Sequence, residues 1–583
     1  MKNNCIDALI ILNNDPHHSE YLAPHWQAIQ WLSGFSGSAA TIVITLEHAI
    51  LWTDFRYYIQ AENQLKGFRF KLYKIGKPDV LTVKEYLLKA LKPKDTIGID
   101  GSLFSVANVN KYKSEFNTKG ILLNTNTDFI SILWKKRPLL PLSKAYSLSE
   151  KYAGKSRIKK IEQIRACMKE FGACLHLMAT LDDIAWSLNL RGSDIHTNPV
   201  NIAYLLIEPL KITLFVNPDK IDDKLKKELK HDGIDIAQYE DIYIVLSKIA
   251  DNKTILIDPE NTNYKLFQSI NKKTDIIKKP NPAIGLKSIK NKIEISHLKN
   301  TSIKDGTAIV NFLFWLENQK QDAGLNEIFC AKKLFEFRKK QDLFIDNSFD
   351  PIMAYGEHSA MCHYFASDQT NADFSIKKNN MLLIDSGGHY LTGTTDITRT
   401  ICFGKPSKQQ IKDYTLVLKG HIAVASTLFP KGTKGFQIDT LARQYLWNQG
   451  MDFGHGTGHG VGFFLSVHEG PASLSSHPVD VKLEKGMVLT NEPGVYRKDE
   501  YGIRLENMIL VDQAFENEFG TFMKFENLTY CHFEKNLIDK NMLNEKEINW
   551  INDYHASVYE NLSLSYGLDI DVRLWLKNKT GSL

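Results

Sequence analysis

Two stretches of this chain share a design that constrains its fold more than any other feature. In "MLLIDSGGHYLTGTTDITRTI", Asp385 ends an apolar strand and Asp396 sits in the next strand, beyond a Gly-rich turn. In "MVLTNEPGVYRKDEYGIRLENMILV", Glu492 follows an apolar strand just before a Pro-Gly turn, and Glu506 sits within the next strand. Strand alternation puts Arg504 on the same face as Glu506. A carboxylate at the end of a buried strand is costly unless it is paired or bound to metal. Any one of these four alone reads as structural. Four on two hairpins, with histidines between them, read as a metal centre. Oxygen-rich ligation with one or two imidazoles suits Mn²⁺, and less specifically Co²⁺ or Zn²⁺. Two such ions about 3.5 to 4 Å apart, bridged by carboxylates, generate a hydroxide near neutral pH and polarise a carbonyl.

Between the two hairpins runs "GHGTGHGVG", Gly454 to Gly462, with His455 and His459 four residues apart. No G-x-G-x-x-G or G-x-x-x-x-G-K-[ST] register fits it, so a phosphate loop fails on spacing, and H-E-x-x-H is absent. Alternating glycines disfavour a helix, because each costs roughly 1 kcal/mol there. On an extended chain the two histidines lie about 13 Å apart. One imidazole can then bind metal while the other meets substrate, with the bare glycine face allowing close backbone approach.

The 583 residues exceed one compact core, and length alone suggests about three or four domains. Two Pro/Lys-rich stretches, "KKRPLLPLSKAYSLSE" from Lys135 and "KKPNPAIGLKSIKNK" from Lys278, read as linkers. They set domains at 1–150, 151–288 and 289–583, the last ending in a helical tail over about 541–583. The first two share the pattern Trp-x-x-x-apolar-x-Gly-Ser, at Trp31 and at Trp186, each followed by two apolar strands. That repeat predicts a duplicated α/β unit. The third piece opens on a long helix, with Ile309, Leu313 and Leu316 on one face, and then reads as α+β. The surplus of 72 Lys+Arg over 67 Asp+Glu is spread along the chain and leaves no footprint for nucleic acid. No apolar run approaches the roughly 18 residues of a membrane helix. Seven scattered cysteines without a C-x-x-C pair point to reduced thiols and a cytoplasmic protein. Lysine runs such as "KLKKELK" are solvated helix faces, and His421 reads as an ordinary helix histidine.

These motifs carry a family resemblance. "IDSGGHYLTGTTDITRT", "HGTGHGVGFFLSVHEGP", "TNEPGVY" and "YGIRLEN" are similar to the catalytic domain of the Xaa-Pro aminopeptidases (aminopeptidase P) of the pita-bread metallopeptidases, family M24. "DPHHSEYLAPHWQAIQWLSGFSGSA", "WTDFRYY", "LDDIAWSLNLRGSDIHTNPV" and "INWINDYHASVYENL" resemble the long three-domain cytosolic form, so nearly the whole chain is covered. The resemblance implies two creatinase-N-terminal-like α/β domains followed by a pita-bread catalytic domain. It implies that Asp385, Asp396, His459, Glu492 and Glu506 bind two Mn²⁺ ions, with Asp396 and Glu506 bridging. His363, His455 and His468 would surround the substrate, a peptide with proline second, and a hydroxide bridging the metals would attack the carbonyl before proline. In that scheme Glu492 relays a proton, His363 and His468 hold or polarise the reacting groups, and His455 lies near the proline ring. Arg504 would belong to the substrate side, and Arg56 would reach the site from the N-terminal domain; by pattern alone Arg56 reads equally as a surface cation. A homodimer is implied as well.

Departures are few: the first strand begins almost at once, Ile29 stands where the long form tends to have Arg, and Ala40 where it has Gly. The rival readings are a non-catalytic pita-bread scaffold, a metal-free creatinase-like hydrolase and a prolidase. The intact carboxylate set disfavours the first two, and the second N-terminal domain disfavours the third.

Overall fold

The computed structural model describes residues 1–319, 324–368, 370–372 and 380–583. The chain divides into two compact units, Met1–Glu150 with Lys155–Ile284 and Lys151–Gly154 with Gly285–Leu583.

The first unit contains the predicted duplication. Its first sheet centres on Ala8–Leu12, flanked on one side by Thr41–Thr45, Ala49–Thr53 and Phe70–Lys74, and on the other by Thr96–Gly98 and Leu122–Asn124. The second centres on Leu175–Met178, flanked by Ala203–Ile207, Ile212–Val216 and Ile234–Ala237, and by Thr254–Ile257 and Asp275–Lys278. Both sheets repeat one sequence of pairings: two antiparallel steps and a parallel one on the first side, two parallel steps on the second. Trp31 and Trp186 occupy equivalent helices, each feeding the antiparallel hairpin of its sheet. Ala203–Ile207 and Ile212–Val216 are buried at every position, as strands covered on both faces must be. A loop from the first sheet reaches into the second half of the unit: the His17 ring bonds the Ala179 carbonyl and the Tyr239 hydroxyl, each at 2.8 Å. Asn263 Nδ2 donates to the Pro16 carbonyl beside it.

The first strand starts at Ala8 after a 3-10 turn at Lys2–Asn4, so it is preceded by a short helical turn after all. The stretch from Lys135 runs without helix or strand to Ala145. The stretch from Lys278 does not behave as a linker throughout: Pro282, with its φ preset for a first helical turn, starts the helix Pro282–Ser288.

In the second unit, helix Lys292–Glu317 is opened by a capping box between Asn291 and Glu294. It buries Ile309, Leu313 and Leu316 in one cluster with Leu382 and Ile384. A three-stranded sheet joins Ile352–Tyr355, Asn380–Ser386 and Ile397–Phe403. A four-stranded one joins Leu428–Pro430, Gly520–Asn527, Asn507–Asn517 and Val488–Asn491. Helices Lys408–Ala425 and Gly435–Trp447 pack tightly because Gly420 has no Cβ; one would lie 2.3 Å from the Ala442 carbonyl oxygen. The tail forms Glu545–Leu562, again with a capping box, and Ile570–Lys579. Among the described residues no helix is long and apolar enough to cross a membrane, and all seven cysteines are free.

Candidate metal centre

The four carboxylates converge from the three-stranded and four-stranded sheets just described and the turns at their edges. Asp385 lies on Asn380–Ser386, opposite Thr398 of the antiparallel neighbour. Asp396 stands one residue before that neighbour rather than within it, because a small hairpin, Gly388–Tyr390 with Gly393–Thr394, fills the Gly-rich turn. Glu506 likewise falls between Tyr501–Arg504 and Asn507–Asn517, not inside a strand. Both sit at strand breaks, where the backbone can aim a side chain independently of two-residue alternation. Thr398 ties the sheets together: its carbonyl accepts the Glu506 N–H at 3.0 Å, and its hydroxyl donates to the Glu506 carboxylate at 2.7 Å.

Glu492 follows Val488–Asn491, and its N–H donates to the Thr457 carbonyl at 2.7 Å, joining it to the glycine stretch. His459 pairs its backbone N–H with Thr490 Oγ1. Its Nδ1 lies 2.9 Å from the Gly460 carbonyl and donates there, which leaves the Nε2 lone pair free to bind a cation. Nε2 is 3.5 Å from Asp396 Oδ2 and 3.6 Å from Glu492 Oε1. Ligand atoms of Asp396, His459 and Glu506 all lie within 4.8 Å of one another. The glycines of this stretch have a different use from the one the sequence suggests. A Cβ at Gly458 would sit 2.0 Å from the Thr490 carbonyl oxygen, and one at Gly460 2.1 Å from that of Glu469. Their bare faces are filled by this chain's own backbone, not held open for a peptide.

Burial raises the pKa of Asp385, with Asp396 adding to it and Arg504 opposing. Burial and the neighbouring carboxylates push Glu506 well above the carboxylate range. Glu492 is raised to about 6 by burial, with His459 and Arg504 pulling back. Burial alone would lower His459, but its bond to Asp396 and the charges of Glu492 and Asp396 raise it to about 9. Like charges this close cannot all ionise without a cation. Asp385 Oδ1 is buried and has no hydrogen bond among the described residues. Oxygen donors, one imidazole with its second nitrogen committed, and an orphaned carboxylate oxygen fit hard to borderline divalent ions.

Arg504, assigned to the substrate side by resemblance, is 3% exposed and spends its guanidinium on the protein. Nη2 pairs with Asp385 Oδ2, Nε donates to Thr398 Oγ1, and Nη1 donates to the Tyr496 hydroxyl at 2.7 Å. Tyr496 in turn donates to His455 Nε2 at 2.8 Å, while His455 Nδ1 donates to the Gly456 carbonyl at 2.7 Å. His455 Nδ1 lies 3.9 Å from Glu492, so both imidazoles of the glycine stretch flank one carboxylate. The His468 ring meets that of His459 edge-on, centroids 4.3 Å apart. Its neighbour Glu469 is buried and paired with Lys290 and, at 3.6 Å, with Lys287. His363 is half-buried just past the 3-10 turn Gly356–Ala360. Arg56 belongs to the first unit, where it forms a bidentate pair with Asp54 at 2.8 and 2.7 Å. His421 is fully buried with Nδ1 on the Leu505 carbonyl, a structural histidine.

Three supporting residues escaped the sequence reading. Thr398 could have been found, since it is a polar residue two positions beyond Asp396 on an inward strand face. Tyr496 closes the motif "TNEPGVY", but its position there gave it no role. Arg399 lies buried over the Phe533 ring and donates to the carbonyls of Thr398, Glu506, Cys531 and His532. It thereby fixes the backbone of Glu506 to the C-terminal region.

Paired α/β modules preceding a half that buries carboxylates around an imidazole define a metallopeptidase of the creatinase/prolidase type. The family model of metallopeptidase family M24 matches residues 296–513, that of its C-terminal region matches 521–583, and creatinase/prolidase N-terminal domains match 1–129 and 136–294. The chain belongs to metallopeptidase family M24. It is 38% identical to Xaa-Pro aminopeptidase 1 of Dictyostelium discoideum, over 96% of this chain and 91% of that one. It is 36% identical to aminopeptidase P2 of Arabidopsis thaliana, over 99% and 86%. The crystal structure of the Caenorhabditis elegans X-prolyl aminopeptidase, described as a cytosolic enzyme with a di-nuclear active site, matches with a TM-score of 0.94 at 36% identity, covering 99% of this chain and 95% of that one. A Xaa-Pro dipeptidase from Bacillus anthracis, 25% identical with a TM-score of 0.52, covers 65% of this chain.

Proposed function

We infer that this protein is a Xaa-Pro aminopeptidase: it releases the first residue of peptides whose second residue is proline, using two divalent cations. The observation that carries the reading is the buried constellation of Asp396, His459 and Glu506 with Asp385 and Glu492 beside it, in a chain that aligns end to end with Xaa-Pro aminopeptidases. These five residues would hold the cations, for which Mn²⁺ is the ion of choice. Once bound, the cations supply an activated water and a Lewis acid for the scissile carbonyl.

The chain's own groups do the rest. Glu492, between His455 and His459, takes the proton of the attacking water and returns it to the proline nitrogen as the C–N bond breaks. His363 and His468 donate to the carbonyl oxygen as it gains charge. The carboxylate cluster holds the peptide's free α-ammonium group. His455, fixed by Tyr496, packs beside the proline ring. The scissile amide has no N–H, so a site that selects a rigid ring rather than an amide donor suits it. Arg504 positions Asp385 and Tyr496 without touching substrate. The protein acts in the cytoplasm, in keeping with seven free cysteines, as a homodimer that light scattering would detect at twice the chain mass.

The test is hydrolysis of a Xaa-Pro-Xaa peptide by metal-stripped protein with Mn²⁺, Co²⁺ and Zn²⁺ added back separately. Release of the first residue with Mn²⁺ is expected; no metal-dependent release would sink the reading. A Xaa-Pro dipeptide run beside the longer peptide separates this enzyme from a prolidase, which would cleave only the dipeptide.

A further inference from the structure

The segment from Tyr355 to Ala372 carries His363, and between those ends the described residues contain only the 3-10 turn Gly356–Ala360. Such a segment cannot hold a reacting imidazole in place through ladder hydrogen bonds. A group that ties down both flanks of the segment lies outside the metal cluster. Glu327, the first residue of helix Glu327–Lys339, is fully buried. Its Oε1 accepts from the Tyr355 N–H at 2.9 Å and from His358 Nδ1 at 2.8 Å. Its Oε2 accepts from the Tyr364 hydroxyl at 2.6 Å and from the Ala372 N–H at 2.9 Å. One oxygen therefore holds the start of the segment and the other its end. The helix's second N–H adds a bond to Asn371 Oδ1. The His358 ring stacks on Tyr364, with centroids 4.5 Å apart, which ties the two flanks to each other. Midway, Ser359 Oγ accepts the Gly502 N–H, and a Cβ at Gly502 would lie 1.8 Å from the Ser359 carbonyl oxygen, so the segment is pressed onto the hairpin that carries Arg504.

We propose that Glu327 is the positioning residue for His363: its carboxylate clamps both flanks of the segment so that the imidazole between them meets the substrate carbonyl. The proposal rests on the role given to His363 above. Four donors on one carboxylate make a demand that only the ionised acid meets, since an amide offers one acceptor oxygen and two N–H groups. In Glu327→Gln one flank keeps its acceptor and the other faces a donor with a donor, whichever way the amide turns.

The experiment compares wild type with Glu327→Gln in three measurements. Hydrolysis of a Xaa-Pro-Xaa peptide should lose about 100-fold in kcat, the scale on which a small misplacement of a reacting group acts, with KM within about threefold. Mn²⁺ affinity by titration calorimetry should stay within about twofold, because no ligand touches the clamp. Hydrogen exchange should accelerate in peptides spanning 355–372 and not in those spanning 455–469. Unchanged kcat in a folded variant would overturn the proposal, and so would a loss of metal affinity in parallel with kcat. Where Glu327→Gln does not fold, Tyr364→Phe, which removes one donor and keeps the acid, should lower kcat about fivefold, the worth of one hydrogen bond; full activity there would overturn it equally. The exchange measurement needs no substrate. A wild type that cleaves no Xaa-Pro peptide would therefore sink the proposed function, while the clamp would still stand or fall by exchange.

Discussion

Two imidazoles in this molecule, one fully buried and one largely so, behave in opposite ways. His17, in the N-terminal unit, faces a carbonyl and a phenol; burial, with Lys220 adding, lowers its pKa to about 4 despite the Ala179 carbonyl. His459, in the catalytic unit, faces Asp396 and Glu492, and its pKa rises to about 9 although burial opposes the charged form. Around His17 the first region supplies one acceptor and one hydroxyl, so that the ring is matched while neutral. The second buries carboxylates faster than it supplies partners. Burial by itself makes a histidine inert; the uncompensated carboxylates around it make a site.

The largest test of that contrast removes one of those carboxylates. Asp396→Asn should cut kcat/KM by about 1,000-fold or more if Asp396 is the metal ligand proposed above. The same substitution should stabilise the metal-stripped protein by about 1 kcal/mol, because Asp396 raises the pKa of Asp385, Glu492 and Glu506. Peptide assay and thermal melting of the stripped protein check the two halves. A stripped variant that melts below stripped wild type would show that the cluster is not strained without metal.

His17 tests the other side. Its folded pKa of about 4 lies below the ordinary 6.5, so its contribution is fully present above pH 6.5 and fades as pH falls towards 4. The loss amounts to about 3 kcal/mol by the worth of each pKa unit. Denaturant midpoints of wild type should fall between pH 7 and 4.5, and His17→Gln should flatten that slope; equal slopes would refute the assignment. Mn²⁺ at about a hundredfold over its Kd should raise the stability of stripped wild type by about 2.7 kcal/mol and do little for Asp396→Asn. Differential scanning calorimetry reads both.

How much of this was legible beforehand divides along the same line. The duplicated unit showed through a short repeat because strand hydrophobicity and Gly-Ser turns are local properties. The clustered carboxylates stood out because acids at strand ends are rare. What could not be read was how the strands end. Asp396 and Glu506 fall at breaks, and a hairpin as small as Gly388–Thr394 leaves no periodic trace. The purpose of the glycines was also misjudged, since the carbonyls of Thr490 and Glu469 that crowd them come from distant segments. Glu327 and Arg399 were invisible for the same reason: most of their partners are remote in sequence, and a lone charged residue reads as surface.

The finest test lies where the two kinds of region meet. His455 stands in the catalytic unit, yet its ring is matched as His17 is: Nδ1 donates to a carbonyl, and Nε2 accepts from a phenol. Burial keeps that Tyr496 phenol protonated, so it remains a donor to His455 while accepting from Arg504. Tyr496→Phe removes the hydroxyl and leaves both neighbours short of one bond, at a cost of about 1 kcal/mol. Since no ligand is touched, Mn²⁺ affinity should hold while kcat/KM for a Xaa-Pro peptide falls about fivefold, roughly what that energy is worth. A parallel loss of metal would place His455 with the ligands, and the division between matched and uncompensated burial would then run inside the glycine stretch differently from the way its hydrogen bonds draw it.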